Sequence, residues 1–253
     1  MKVILLGTGT SQGVPIIGCH CAVCQSNNPK DKRLRTSAYI EYKGKSFVID
    51  TGPDFRQQML REHIEHLDFV LYTHNHKDHL GGLDDIRSFN HLQKQRMDIY
   101  ANKMVCKCIK NEFPYAFSRH PYPGVPELNL HTINKDKFNV QGIDIQPIQV
   151  VHLEMPILGF RIDNFAYITD ASYIAPKEKD KLINLDVLIL NALGKKKHYS
   201  HFNLEEALAV VDEIKPKRTY FTHMSCRMGL YEETEKELPE NCHLGYDGLQ
   251  IEL

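Results

Sequence analysis

Short apolar runs, rich in β-branched and aromatic residues, recur along the chain, and each ends in a turn or a cluster of polar residues. Such runs are typical of β-strands that lie in a buried sheet. A longer stretch at 37–52 has the same character and predicts a hairpin that turns at Lys43-Gly44. The other runs predict strands at 2–7, 68–74, 143–152, 165–170, 186–192 and 218–223.

Helical patterns lie between some of these runs. The clearest extends from Leu204 to Ile214, where apolar residues recur at helical spacing. Asn203 is suited to cap its first turn, and Glu206 follows three residues later, as in a capping box. A second helix is predicted from Phe55 to about residue 64. Strands that alternate with helices predict a layered α/β fold.

The region 86–135 has a less regular pattern, in which several aromatic residues are mixed with prolines. It predicts a lid-like insertion within a single domain that spans residues 1–253. The segment carries Arg119 and could cover a substrate.

Composition excludes several classes of function. Of the 253 residues, 42% are hydrophobic, enough for a sizeable core, and the net charge is -1. Without a basic excess, an extended nucleic-acid surface is not expected. No apolar run approaches the roughly 18 residues that span a bilayer. The seven cysteines are odd in number and three of them cluster, which indicates metal binding in a reducing cytoplasm.

The strongest chemical signal follows the apolar run at 68–74. His74, His76, Asp78 and His79 are four potential metal ligands within six residues. Alternate residues at a strand end point to the same side, so His74 and His76 can share one ion, and Asp78 and His79 can face a second. Imidazole and carboxylate suit zinc, manganese or iron. The alternative is a polar loop that happens to be rich in histidine.

This run resembles the His-x-His-x-Asp-His motif of the metallo-β-lactamase superfamily. The resemblance implies a four-layer αββα sandwich of two mixed β-sheets flanked by helices. It further implies that Asp50 supports the ligands, that His152 completes the first metal site, that Asp170 bridges both metals and that His223 completes the second. Taken singly, His152 could be a hydrogen-bonded core residue and Asp170 a helix cap.

The N-terminal sequence LLGTGTSQGVPIIGCHCAVC resembles the phosphodiesterase branch of that superfamily, and in particular the phosphoribosyl cyclic phosphodiesterases of phosphonate breakdown. The resemblance implies a structural zinc held by Cys19, Cys21 and Cys24. The branch has a histidine as fourth ligand, whereas this chain has Cys226 at that position. Four thiolates form a suitable tetrahedral zinc site. Alternatively, Cys226 is a small buried residue, and His20 or water is the fourth ligand.

His201, just before the helix at 204–214, resembles an additional active-site histidine of the superfamily, which contacts the phosphate or assists the leaving group. A solvent-exposed residue at the start of the helix is the alternative, and His198 competes for the same role. The oxygen-reducing diiron members carry Glu where this chain has His76. The histidine therefore favours hydrolysis over redox chemistry.

Together these features predict a cytoplasmic hydrolase with two divalent catalytic metals (Zn, Mn or Fe) and one structural zinc. The expected substrate is a small or cyclic phosphodiester attacked by a metal-activated hydroxide, with Asp78, Asp170 and His201 as catalytic residues. A thioesterase or lactonase of the same superfamily, or a non-catalytic metal-binding protein of cofactor biosynthesis, is the alternative. Many relatives are dimers, which leaves a homodimer open, and no membrane partner is expected.

Overall fold

A computed structural model describes residues 1–120 and 122–253 of the chain. The strands form two sheets. Their bounds are β1 Lys2–Gly7, β2 Ser37–Tyr42, β3 Lys45–Ile49, β4 Phe69–Leu71, β5 Met97–Ala101, β6 Leu128–Thr132, β7 Phe138–Val140, β8 Ile143–His152, β9 Met155–Ile162, β10 Phe165–Ile168, β11 Tyr173–Ile174, β12 Val187–Asn191, β13 Arg218–Thr222, β14 Cys242–Leu244 and β15 Leu249–Glu252.

The helices are short, and all but two have seven residues or fewer. Their bounds are α1 Ala22–Gln25, α2 Phe55–Arg61, α3 Lys77–Leu80, α4 Arg87–Gln93, α5 Lys103–Glu112, α6 Pro176–Lys179, α7 Leu204–Ile214 and α8 Tyr231–Glu235. Within the described residues, no helix has both the length and the apolar character that a membrane crossing requires.

Both sheets are mixed. The first has the order β15-β1-β2-β3-β4-β5-β6, and its strands are parallel from β3 to β6. The second has the order β11-β8-β9-β10-β12-β13-β14, with β7 paired to β8, and its strands are parallel from β10 to β14. The carboxyl ends of neighbouring parallel strands meet at one edge of a sheet. Residues that follow β3 and β4 are therefore neighbours, and residues that follow β10 and β13 lie at the same edge of the second sheet with only β12 between them.

Three apolar clusters separate four layers. The central cluster joins the two sheets, with Phe47 and Phe69 from the first and Phe160 and Ile189 from the second. A second cluster lies between the first sheet and helices α2, α4 and α5. A third lies between the second sheet and α7. The predicted αββα sandwich of two mixed sheets is confirmed.

The prediction of a lid-like insertion at 86–135 is wrong for most of that segment. β5 and β6 extend the first sheet, and α5 packs against it through Val105 and Ile109. Residue 121 of the segment lies outside the described residues.

α7 forms as its sequence predicts. The Asn203 side chain accepts a hydrogen bond from the Glu206 amide, and the Glu206 carboxylate accepts one from the Asn203 amide. Lys215 ends the helix in a left-handed conformation, directly before Pro216. This capped start fixes where the preceding residues, including His201, leave the second sheet.

Candidate metal centre

The loop after β4 carries the densest group of polar side chains. His74 is fully buried, and His76 is exposed at the residue before α3. Asp78 and His79 lie on that single-turn helix. The loop packs so tightly against residues 51–52 that a Cβ atom on Gly52 would lie 2.1 Å from the Asp78 carbonyl oxygen. Only glycine permits this approach, which holds Asp78 and His79 close to the end of β3.

Asp50, directly after β3, orients this loop. Its carboxylate accepts hydrogen bonds from the Thr73 amide (2.8 Å), the Thr73 hydroxyl (2.7 Å) and His79 Nδ1 (2.7 Å). With its Nδ1 proton held by Asp50, His79 presents its Nε2 to the cluster. This carboxylate–histidine pairing is the usual way in which proteins orient a metal-binding imidazole.

Two groups of potential ligand atoms overlap at Asp170, two residues after the end of β10. In each group, one possible ligand atom per residue lies within 4.8 Å of all the others. The first group contains His74, His76, His152 and Asp170, and the second contains Asp78, His79, Asp170 and His223. The structure therefore brings together every residue predicted for the catalytic metals and gives Asp170 the shared position. Ligation itself stays a prediction.

Unpartnered nitrogen atoms show that this cluster suits cations. Nε2 of His74 and Nε2 of His79 are both buried, and neither has a hydrogen-bond partner among the described residues. His79 Nε2 lies 3.3 Å from Asp170 Oδ1 and 3.3 Å from Asp78 Oδ2, without hydrogen-bond geometry. Buried polar atoms are rarely left unpaired, so bare nitrogens facing carboxylates fit divalent metals well.

The electrostatics of the cluster point the same way. Burial would lower the pKa of His79, but Asp170, Asp78 and Asp50 outweigh it and hold that pKa well above its ordinary value. Burial would raise the pKa of Asp170, but the nearby His223 and His79 hold that pKa well below its ordinary value. Asp170 is thus a buried carboxylate that needs positive charge nearby, which a metal ion can supply in place of protons.

Backbone strain is concentrated at the same residues. Asp50, Asp170 and His223 have φ angles of 64°, 59° and 55°, in the left-handed region that non-glycine residues seldom adopt. Each lies one or two residues after the end of a strand in the parallel parts of the sheets. Strain of this kind persists where surrounding contacts enforce it, often at functional sites. Here it turns three side chains from strand ends toward one centre.

His152 and His201 approach Asp170 from the second sheet. His152, at the end of β8, donates from Nδ1 to the Ser200 carbonyl at 2.9 Å. Nε2 of His201 lies 3.4 Å from Asp170 Oδ2, and the side chain is 11% exposed. The structure thus places His201 beside Asp170, and its catalytic role stays a prediction. His198 lies farther out, with its ring centre 5.5 Å from that of His201.

His223, after β13, is held from the N-terminal side of the chain. Its Nδ1 lies 3.0 Å from Asp170 Oδ1, and its Nε2 lies 3.2 Å from the Thr10 hydroxyl. Main-chain hydrogen bonds join Thr10 to Met224 and Met224 to Thr8. The Gly-rich turn after β1 therefore supports the last predicted ligand.

The four predicted thiol ligands form a separate group. Cys19, Cys21, Cys24 and Cys226 place their sulfur atoms within 4.8 Å of one another. The amide of Cys24 donates to the Cys21 sulfur, and this hydrogen bond is the main cause that lowers the Cys21 pKa to about 7. A thiol that ionises near neutral pH is a ready metal ligand. Four clustered sulfurs match a closed tetrahedral zinc site.

The supporting residues Thr10, Thr73, Thr169 and Ser200 were not predicted. Thr169 donates to Asp170 at 2.6 Å, and the others contact His223, Asp50 or His152. Thr73 and Thr169 each directly precede a predicted ligand, a position that could have identified them. Ser200 likewise directly precedes the predicted His201, although its other partner, His152, is 48 residues away. Thr10 is 213 residues from His223, and no local pattern marks it.

A family model described as a β-lactamase superfamily domain matches residues 45–224. The chain belongs to the metallo-β-lactamase superfamily. Among solved structures it is similar to a diphosphatase from the PhnP family, with 40% identity and a TM-score of 0.93 over 100% of this chain and 97% of that one. It also shares the fold of Zn²⁺-bound PqqB from Methylobacterium extorquens, at 20% identity and a TM-score of 0.80 over 100% of both chains.

One relative is named for a different chemistry from that of the diphosphatase. The chain is 41% identical to an octanoyltransferase of Porphyromonas gingivalis over 99% of its own length. That match covers 51% of the octanoyltransferase, so the chain spans about half the length of this relative.

Proposed function

We propose that the chain is a two-metal hydrolase that cleaves a small or cyclic phosphodiester. The observation that carries the proposal is the pair of ligand groups that share the buried Asp170. Two divalent ions held there would neutralise a phosphoryl oxygen and activate a water molecule for attack. The diphosphatase relative supports phosphorus as the reacting centre.

The side chains of the chain have three tasks in this reaction. Asp50 fixes His79 and the Ser200 carbonyl fixes His152, so both imidazoles present Nε2 inward. Asp170 is the residue that both ligand groups share, so its carboxylate would help to hold both ions. His201 lies beside Asp170 with its Nε2 directed inward, where it can carry a proton to a leaving alkoxide.

The cysteine group supports the same branch, and we propose that it holds one zinc. The name of the octanoyltransferase indicates acyl-transfer chemistry instead. However, the chain matches only half of that protein, so an acyl-transfer site can lie in the other half. Thioester or lactone hydrolysis is the alternative that an activity assay must separate from phosphodiester cleavage.

The test uses purified chain, stripped of metal and reloaded with Zn²⁺ or Mn²⁺. Chromogenic phosphodiesters, thioesters and lactones are compared as substrates. We expect turnover of phosphodiesters that is lost on chelation, and a fall in kcat of about 10²- to 10⁴-fold for His201→Ala with the metal content unchanged. His131→Ala is the matched control, because His131 also lies beside a carboxylate (2.9 Å from Asp98) but on β6.

The control should retain activity within about twofold, as expected for a substitution outside the reacting centre. Turnover of acyl substrates alone would contradict the proposal. So would phosphodiesterase activity that persists in His201→Ala and in metal-free protein.

A further inference from the structure

Ser200 is a buried residue, 6% exposed, that contacts three histidines in or beside the candidate metal centre. Its carbonyl oxygen accepts the hydrogen bond from His152 Nδ1 at 2.9 Å. Its hydroxyl oxygen lies 2.8 Å from His201 Nδ1 and 3.1 Å from His198 Nδ1. The main chain of Ser200 thus belongs to the support of a predicted ligand, while its side chain faces two imidazoles that no metal group contains.

The hydroxyl has one hydrogen, so it can donate to one of these rings while it accepts from the other. The Ser200 amide also points at His198 Nδ1, at 3.4 Å. An amide can only donate, and His198 Nδ1 is therefore the unprotonated nitrogen of that ring. The Ser200 hydroxyl therefore directs its hydrogen toward His198 Nδ1. Its oxygen is then free to accept a hydrogen bond from the protonated Nδ1 of His201.

This assignment fixes the tautomer of His201. With one proton held on Nδ1, Nε2 is the nitrogen at which the ring gains and gives up its second proton, and it donates to Asp170 Oδ2, 3.4 Å away, while it carries that proton. The opposite tautomer would place a proton on Nε2 and leave Nδ1 as a second lone pair facing the hydroxyl. Only the first tautomer lets Nε2 take up a proton and return it at the centre.

Burial lowers the pKa of His198, and the nearby His201 and Arg227 add to this effect. A neutral His198 is the acceptor that the arrangement requires. Its ring also stacks on Tyr199, with centres 4.5 Å apart, which restricts its rotation.

We propose that Ser200 is a positioning residue whose hydroxyl sets the tautomer and ring plane of His201, so that Nε2 is presented to the reacting group. The role of His201 in catalysis rests on the proposed function, but the tautomer does not. It can be measured without substrate.

The first experiment therefore reads the tautomer directly. Two-bond ¹H–¹⁵N spectra of Zn²⁺-loaded protein distinguish an Nδ1-protonated from an Nε2-protonated imidazole. We expect His201 to be protonated on Nδ1 in the unmodified chain and to become a mixture of tautomers in Ser200→Ala. His201→Ala assigns the signal. A neutral His201 whose single proton is on Nε2, or an unchanged spectrum in Ser200→Ala, would overturn the proposal even if phosphodiesterase activity is present.

The second experiment measures kinetics with phosphodiesters that have p-nitrophenolate or alkoxide leaving groups. Ser200→Ala keeps the main-chain contact to His152, so its metal content should not change. We expect kcat to fall about tenfold for alkoxide departure and less for p-nitrophenolate, which needs no proton, with KM unchanged. In the His201→Ala background, Ser200→Ala should cause no further loss, because the hydroxyl acts through that ring.

Ser172→Ala is the matched control. Within the described part of the chain, the Ser172 hydroxyl bonds only main-chain atoms of Val151 and Leu153, on either side of His152. It should leave both the tautomer and the dependence on leaving group unchanged. Ser200→Thr keeps the hydroxyl and should restore the Nδ1-protonated form. Equal losses for both leaving groups, or independent effects of Ser200→Ala and His201→Ala, would contradict the proposal.

Discussion

Asp50 carries three hydrogen bonds that no neutral side chain could accept together, since two oxygens serve one amide, one hydroxyl and one imidazole. Asp50→Asn is expected to weaken metal binding by about 10- to 100-fold, because the amide cannot hold the Nδ1 proton of His79 as a carboxylate does. Asparagine tolerates the left-handed backbone of this position, so the fold should survive. Competition with a chelating dye measures the change in affinity.

Asp68→Asn provides the control for this loss of charge. Asp68 also accepts a main-chain hydrogen bond, from Ser46 at 2.8 Å, but it lies directly before β4, at the opposite end of that strand from the cluster. Its replacement should leave metal affinity unaltered. If Asp50→Asn bound metal as tightly as the unmodified chain, the orienting role of Asp50 would be refuted.

At this scale the sequence predicts ligand types better than their support. His74, His76, Asp78 and His79 stand in one short run, and the superfamily resemblance adds His152, Asp170 and His223. Serine and threonine are common, and their function depends on partners that only folding brings near. Ser200 and His152, for instance, are 48 residues apart.

At the scale of elements, apolar runs predicted the strands that carry the site. Two further strands, β5 and β6, lie in the irregular segment 86–135 and were not predicted. β5 and β6 alternate apolar residues with polar ones that bond to each other. Asn129 and His131 both contact Asp98, at 3.0 and 2.9 Å. Polar pairs on one face of a sheet edge interrupt the apolar run by which a strand is usually recognised. The mistaken insertion follows from that interruption.

The cap of α7 offers a test at this scale. Asn203→Ala removes the acceptor for the Glu206 amide and is expected to lower the free energy of unfolding by about 1 kcal/mol. For a chain of this size, that corresponds to a fall in Tm of about 2–4 °C. Asn203→Asp keeps an acceptor oxygen and should stay close to the unmodified chain. Equal Tm values for the alanine and aspartate variants would show that the cap contributes nothing measurable.

At the scale of the molecule, the candidate metal centre and the thiol group each bring together segments that are far apart in sequence. Residues 8–10 bond to Met224, Thr10 contacts His223, and Cys226 follows three residues later. The thiol group brings the same two segments together, because Cys226 follows β13 and its other three sulfurs come from residues 19–24. A zinc ion there would tie the loop after β1 to the loop after β13, and so fix the position of His223.

Cys21→Ser tests this link, since it removes an exposed sulfur with little change in volume. We expect the protein to lose one equivalent of zinc by metal analysis and to keep the metals of the catalytic cluster. The His223 loop should then exchange its amide hydrogens faster, because one of its two anchors is gone. Cys242→Ser, a change at a buried cysteine outside the group, should retain all the zinc. An unchanged zinc content in Cys21→Ser would show that the sulfurs, although clustered, do not bind the ion.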